Sequence, residues 1–121
     1  MNVSRTGLGF SIAALLIAGC GAAAVPTARI VSAEAAIRAA QESGAANTPN
    51  AALHLHYAEL AKVEAQRLAS NGDNDRAVMQ FRRAEADANL ALALRREAEA
   101  QHGAQTATET LRATPTPETP R

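Results

Sequence analysis

The distribution of apolar residues divides the chain into an N-terminal apolar run, a helical middle part and a polar tail. The run covers residues 7–18, the middle part residues 26–102 and the tail residues 103–121. In the middle part, apolar residues recur three and four positions apart, which places them on one face of a helix. Proline and glycine divide it into three such segments. The pattern predicts an all-α domain in which a short helix precedes a long antiparallel helical hairpin, a three-helix arrangement.

The first predicted helix lies between Pro26 and Gly44. Thr27 is expected to cap its start, and a helix commonly stops just before a glycine. We therefore expect it to run to about Ser43. Its predicted buried face is Ile30, Ala33, Ile37 and Ala40.

The second predicted helix runs from Pro49 to about Asn71. Thr48 is expected to be its N-cap, and proline suits the first helical position because the missing N–H has no partner there. Gly72 suits the left-handed conformation that ends many helices. The predicted buried face is Leu53, Tyr57, Leu60, Ala61 and Leu68, with Glu64 interrupting it.

The third predicted helix runs from Asp73, its expected cap, to about His102. Its first apolar face is Ala77, Phe81, Ala84, Ala88 and Leu92. Leu90 and Leu94 form a second stripe that points roughly 160° away from the first. Two interpretations stay open: the two stripes contact the two other helices, or the side with Leu90 and Leu94 is an interaction surface for another chain.

The tail after Gly103 changes to threonine, alanine, proline and glutamate. Alternating prolines near its end disfavour helix and favour extended segments. We expect residues 103–121 to be disordered, either as a flexible tip or as a recognition segment for another envelope protein.

The N-terminal run has the features of an export signal. Arg5 precedes an apolar stretch of about twelve residues, too short for the roughly twenty that span a bilayer. The sequence Ile17-Ala18-Gly19-Cys20 follows and resembles the lipobox of bacterial lipoproteins. We expect residues 1–19 to be a signal peptide cut between Gly19 and Cys20. Residues 20–25 are then a tether, with covalent lipid on Cys20.

The predicted anchor determines the expected location. Several acyl chains hold a protein on a membrane far more firmly than one. Gly21, not aspartate, follows Cys20, and in lipoproteins of two-membrane bacteria this usually implies sorting to the outer membrane. We expect a lipid-anchored protein of the cell envelope, on the outer membrane and facing the periplasm.

Composition and charge narrow the function classes. About a quarter of the residues are alanine, and there is no tryptophan, which favours helix over strand. Lysine plus arginine equals aspartate plus glutamate at 12 each, so the sequence lacks the basic surface that nucleic acid requires. The single cysteine cannot form an intramolecular disulfide.

The sequence offers no residue pattern for catalysis or metal binding. His54 and His56 stand two positions apart, so on a helix their side chains point about 200° away from each other and cannot share an ion. No serine stands in a Gly-x-Ser-x-Gly elbow. We expect no enzyme activity, no metal and no cofactor other than the lipid on Cys20.

Several short stretches of the middle part resemble one protein family. The stretches are Pro26-Thr27-Ala28, Ala36-Ile37, Ser43-Gly44-Ala45, Leu53 to Leu60, Leu68-Ala69-Ser70-Asn71-Gly72 and Ala84-Glu85-Ala86-Asp87-Ala88. Through them, residues 24–101 resemble the domain of unknown function (DUF) 4398 family, short alanine-rich helical modules of bacterial envelope lipoproteins. The resemblance implies a helical envelope module and brings no catalytic residues.

The preferred functional hypothesis is a small helical structural or interaction module anchored to the envelope membrane. Its expected partners are the membrane, through the lipid, and a second copy or another envelope protein. One alternative is a periplasmic small-ligand carrier or enzyme accessory subunit. Another is an amphipathic protein that binds a lipid surface, although the modest lysine and arginine content speaks against it.

Overall fold

The computed structural model describes residues 23–114. This part of the chain contains three α-helices and a short 3₁₀ turn but no strand, which confirms the predicted all-α class with three helices. The elements are α1 (Thr27–Glu42), the 3₁₀ turn (Ala45–Asn47), α2 (Pro49–Ser70) and α3 (Asn74–Ala113). The predicted signal peptide, with Gly19, and Cys20, the predicted site of lipidation, lie outside the described residues.

The turn between α2 and α3 is fixed by its own hydrogen bonds. Gly72 has a φ of +79°, and its N–H donates to the Ala69 carbonyl at 3.0 Å while the Asp73 N–H donates to the Leu68 carbonyl at 3.0 Å. This pair of bonds is the Schellman motif that ends helices at a left-handed glycine. The Asp73 carboxylate accepts from the Arg76 N–H at 3.4 Å and caps α3. The predicted roles of Gly72 and Asp73 are confirmed.

The starts of the first two helices differ in detail from the predictions. Thr27 lies inside α1 and Pro26 occupies the N-cap position, so the predicted Thr27 cap was wrong. Thr48 is the N-cap of α2, as predicted, but its side chain makes no capping hydrogen bond. Gly44, with a φ of +77°, follows the end of α1 as predicted.

The core of the hairpin is built from alanine. Fully buried alanines recur every seven residues in both long helices: Ala51, Ala58 and Ala65 in α2, and Ala77, Ala84 and Ala91 in α3. We call these six residues the alanine seam. Among the described residues, Phe81 is the only large side chain that is almost completely buried. Because small side chains let helix axes approach closely, backbone contact replaces the interlocking of large side chains.

The two halves of the alanine seam are in register. Ala65 and Ala77 are each six residues from Asn71, and the next pairs, Ala58 with Ala84 and Ala51 with Ala91, are equally matched. An antiparallel hairpin that turns at Asn71 therefore places each alanine of α2 level with one of α3. A seven-residue repeat also keeps the seam on one side of both helices, as in a coiled coil.

The predicted buried face of α2 was largely wrong. Leu53, Tyr57 and Leu60 are 47%, 39% and 52% exposed, whereas Ala61 and Leu68 of the predicted face are buried. Both faces of α2 have residues spaced three and four apart, and they lie roughly 100° apart around the helix. The alanine face packs against α3 because it matches the small residues of α3 in register. Leu53, Tyr57 and Leu60 therefore remain outside.

Helix α1 packs on one side of the hairpin and runs parallel to α3. The Arg29 guanidinium contacts the Glu85 carboxylate at 2.9 Å, and the Ser32 hydroxyl donates to the same carboxylate at 2.6 Å. At the other end, a Cβ on Gly44 would lie 3.7 Å from Arg95 Nε. From the start of α1 to the residue after its end, the contacts shift from Glu85 to Arg95 of α3, so the two helices run in the same direction. Ala33, Ile37 and Ala40 are the buried residues of α1.

Helix α3 extends beyond the other two helices. Its 40 residues span about 60 Å at about 1.5 Å per residue. All residues from 99 to 114 are exposed, and we call residues 99–113 the arm. The expectation of disorder from residue 103 was wrong as far as Ala113, eleven residues beyond His102. Gly103 costs the helix only about 1 kcal/mol, and good helix formers surround it.

Threonine hydroxyls in and next to the arm find hydrogen-bond acceptors within the same helix. The side chains of Thr106, Thr108, Thr110 and Thr114 each donate to the carbonyl four residues earlier, at 2.8–3.0 Å. Such bonds satisfy the hydroxyls inside a helix without any tertiary contact. The rest of the predicted tail, residues 115–121, lies outside the described residues.

The alanine seam makes the core sensitive to added volume. Ala84→Leu should lower the free energy of unfolding by about 1–3 kcal/mol, since the larger side chain forces α2 and α3 apart. Ala86→Leu, on the exposed side of α3, is the matched control and should change it by less than about 0.5 kcal/mol. Urea denaturation of both variants measures the difference. Equal stability of the two would contradict a closely packed seam.

Two glycines should respond in opposite ways to the same substitution. A Cβ meets no atom within 4 Å at either Gly72 or Gly103. Gly72→Ala should destabilise the domain by about 1 kcal/mol, because alanine is strained at positive φ. Gly103→Ala should instead raise the helicity of the arm, because alanine has the higher helix propensity. Thermal denaturation tests the first variant, and amide hydrogen exchange of residues 99–113 tests the second.

Candidate interaction surface

The outward face of α2 carries four large apolar side chains. Leu53, Tyr57, Leu60 and Val63, which we call the outer stripe, recur at intervals of four, three and three residues, and Val63 is 60% exposed. The two charged residues of this segment point toward α1 instead. Glu59 accepts a hydrogen bond from Gln41 of α1 at 2.8 Å, and Lys62 lines a shallow groove with α1 residues. The outer stripe is therefore apolar and uncharged.

A groove between α2 and α3 borders the outer stripe. It has a volume of about 310 Å³ and is lined by Tyr57, Leu60, Ala61, Glu64, Gln80 and Arg83. The contacts of α1 with Glu59 and Glu85 lie on the other side of the hairpin. The groove and the outer stripe consequently form the hairpin face that α1 leaves open.

One ion-pair cluster crosses this groove. His54 Nδ1 of α2 lies 3.2 Å from Asp87 Oδ1 of α3, and Arg83 Nε lies 3.7 Å from the other oxygen of Asp87. The His54 ring also meets the Tyr57 ring edge to face, with centroids 6.0 Å apart. The cluster ties the two helices together on the open side. His54 thus faces a carboxylate, whereas the exposed His56 lies on the outward side of α2, three residues from Leu53 and four from Leu60.

Glu64 stands at the end of the outer stripe and pairs with Arg67. The guanidinium donates two hydrogen bonds to the carboxylate, at 2.7 and 2.6 Å. These bonds hold the pKa of Glu64 below its usual range. A lowered pKa in the folded state adds stability above the ordinary glutamate pKa, and that stability is lost as the pH falls through the lowered value. Both groups are solvent-exposed, so the effect on the free energy of unfolding is small.

The structure separates the two residues predicted as an interaction surface. Leu90 is 43% exposed and lies one turn beyond Asp87, beside the open groove. Leu94 is partly buried and packs against the core. It also lines a surface groove with Thr48 and Asn50, at the start of α2. Leu90 thus belongs to the open hairpin face, whereas Leu94 contributes mainly to the packing of the domain.

The other surface depressions differ in kind from this groove. One of them, about 350 Å³, is lined only by residues of the arm, from Ala104 to Arg112, so it has no opposing wall. Among residues 23–114, no group of three or more histidine, cysteine, aspartate or glutamate side chains is placed to hold a metal ion. Within the same residues, no helix is long and apolar enough to cross a membrane.

Sequence reasoning missed the outer stripe as a surface because it assigned the largest apolar side chains to the core. The signal that could have found it is the seven-residue alanine repeat, which is present in both long helices.

No protein-family model, no curated protein and no solved structure matches the chain. The resemblance to the DUF 4398 family stays a prediction, as do the roles of Gly19 and Cys20.

The cluster across the groove should stabilise the hairpin measurably. Asp87→Ala should lower the free energy of unfolding by about 1 kcal/mol, because the partly buried His54 and the exposed Arg83 lose their shared acceptor. Glu99→Ala removes an exposed carboxylate that pairs with Arg95 on the same helix, and it should change stability by less than about 0.5 kcal/mol. Urea denaturation compares the two variants. If the two changes are equal, the cluster is no more than a surface ion pair.

Proposed function

We propose that this chain is a lipid-anchored protein of the cell envelope whose helical domain serves as an interaction module. The observation that carries the proposal is the outer stripe, since large apolar side chains lie outside while alanines fill the core. Scattered apolar residues are normal on a protein surface, whereas apolar residues aligned along one helix face are typical of a binding surface.

The anchoring part of the proposal rests on the sequence. A charged N-terminus, a short apolar run and Ile17-Ala18-Gly19-Cys20 occur in the order that lipoprotein signal peptides require. Cys20 is the only cysteine of the chain, and it stands two residues after the apolar run. This position is specific for a lipoprotein signal peptide. Onward sorting to the outer membrane and membership of the DUF 4398 family belong to the same proposal.

The geometry of the described residues fits an anchored module. Val25 packs against the core, only five residues after Cys20. At about 3.3 Å per residue, Val25 would lie within roughly 17 Å of the membrane surface. Because α1 runs parallel to α3, the arm points away from this anchored end. Leu60 lies about three turns from the α2–α3 turn that borders the anchored end, so the outer stripe would stay near other membrane-bound proteins.

The anchor is tested with the complete precursor expressed in a two-membrane bacterium. Cys20→Ala should accumulate as the uncut chain, because the acylated thiol is what the signal peptidase requires in this proposal. Gly19→Ala keeps a small residue before the cut and should be processed normally. Mass spectrometry of the purified chain detects the lipid on Cys20 and the new N-terminus.

A wild-type chain with an unmodified Cys20, or with a cut at another position, would contradict the lipid anchor. Separation of inner and outer membranes by density then tests the location independently. Recovery of the wild-type chain with the inner membrane would leave the anchor intact and refute only the sorting step.

A further inference from the structure

We propose that the outer stripe docks a second copy of this chain, so that α2 packs antiparallel against α2 of the partner copy. This inference deepens the proposed function by naming the partner, and it rests on the anchor for the local concentration that it needs. The two-fold axis passes between Tyr57 and Leu60. In a symmetric pair of this kind, residue i of one copy contacts residue j of the other, and j contacts i.

The order of side chains along the outer stripe is self-complementary. Around the proposed axis, Tyr57 of one copy lies opposite Leu60 of the other, and Leu53 lies opposite Val63 and Glu64. Tyr57 and Leu60 therefore meet apolar side chains of the second copy directly, and Leu53 and Val63 meet each other one residue away from that register. The partners of Val63 at the margin are Leu53 and His54, whose ring already packs against Tyr57.

The charges around the outer stripe permit the same face to meet itself. The two arginines near it are each paired with an anion of their own chain: Arg67 with Glu64 at 2.6 Å, and Arg83 with Asp87 at 3.7 Å. Two such faces approach without repulsion between like charges. An anionic membrane surface or a nucleic acid would meet no unpaired arginine or lysine on this face among residues 23–114, which makes these occupants less suitable.

The proposed axis also places opposite charges near each other. Glu64 of one copy lies close to the first turns of α2 in the other, since α2 begins at Pro49. The N-terminal end of a helix carries partial positive charge from its free N–H groups and favours a carboxylate. The antiparallel arrangement is therefore favoured over a parallel one, in which the two Glu64–Arg67 pairs would lie side by side.

The size of the face indicates how strong the pair is. From Asn50 to Arg67 the face is about 26 Å long, and two helices make it about 20 Å wide. This gives on the order of 500 Å² per copy, below the roughly 800 Å² of a standard interface. The pair should be weak in dilute solution. Anchoring both copies to one membrane raises their effective concentration and compensates for the small area.

Cross-linking of the anchored, full-length chain in membranes tests the pair. Leu60→Cys places a thiol next to the axis, within about 5 Å along the helices of the same thiol in the second copy. A short bismaleimide should then give a covalent dimer. Val31→Cys provides the matched control, because Val31 is 57% exposed on α1 and far from the axis. The wild-type chain, whose only cysteine is Cys20, gives the background.

A second substitution separates specific pairing from collision. Leu53→Ser in the Leu60→Cys chain should lower the dimer yield roughly fivefold, because it removes an apolar contact at the edge of the stripe. Circular dichroism checks that each variant keeps its helices. Leu53 and Leu60 are half exposed in one copy, so neither substitution disturbs the alanine seam.

The outcomes separate this proposal from the lipid anchor. A dimer with Leu60→Cys that Val31→Cys does not give supports the pair. Equal yields for the two variants, or no dimer, overturn it. A product that contains a different protein, or a Leu60→Cys thiol that lipid shields from a water-soluble maleimide, overturns it as well. Cross-linking of the wild-type chain would show a free Cys20 thiol, and would therefore refute the anchor and leave the pair to be judged from the variants.

Discussion

The close approach of α2 and α3 along the alanine seam is the constraint on which the rest of the structure depends. Fully buried alanines at every seventh position leave no room between the helices for larger side chains. The register of the hairpin follows, because sliding one helix by a turn would bring Phe81 or Leu55 against a position that fits only alanine. The Schellman turn at Gly72 sets the same register from the end of the hairpin.

The same constraint accounts for the unusual surface. When alanines occupy most core positions of α2, only Leu55 and Leu68 of its larger apolar residues are buried, and Leu53, Tyr57 and Leu60 share one outward face with Val63. A surface helix usually has the opposite distribution, with large apolar residues inside and polar residues outside. The outer stripe is thus a direct consequence of the alanine seam, and it gives the hairpin a second apolar face in addition to the one that α1 covers.

Much of the fold could be predicted from the sequence because single residues determine where its helices begin and end. Gly44, Gly72 and Asp73 have conformational roles that few other residues fill, so the helix ends near them could be predicted. The face of α2 could not, because apolar spacing alone does not rank alanine above leucine, and only the matching repeat in α3 does. The length of α3 was missed because no tertiary contact supports the arm, and its helix rests on local propensity.

The candidate site was less predictable than the fold for a related reason. Leu90 was singled out because it points away from the Phe81 face, and it does lie on the open side of the hairpin. Its companions there come from α2, and a sequence pattern read one helix at a time cannot bring them together. The His54–Asp87 contact joins residues 33 positions apart and depends on the hairpin register. A surface formed by two helices therefore becomes visible only once the alanine seam has set how those helices align, which is why the interaction face and the core of this protein have to be explained together.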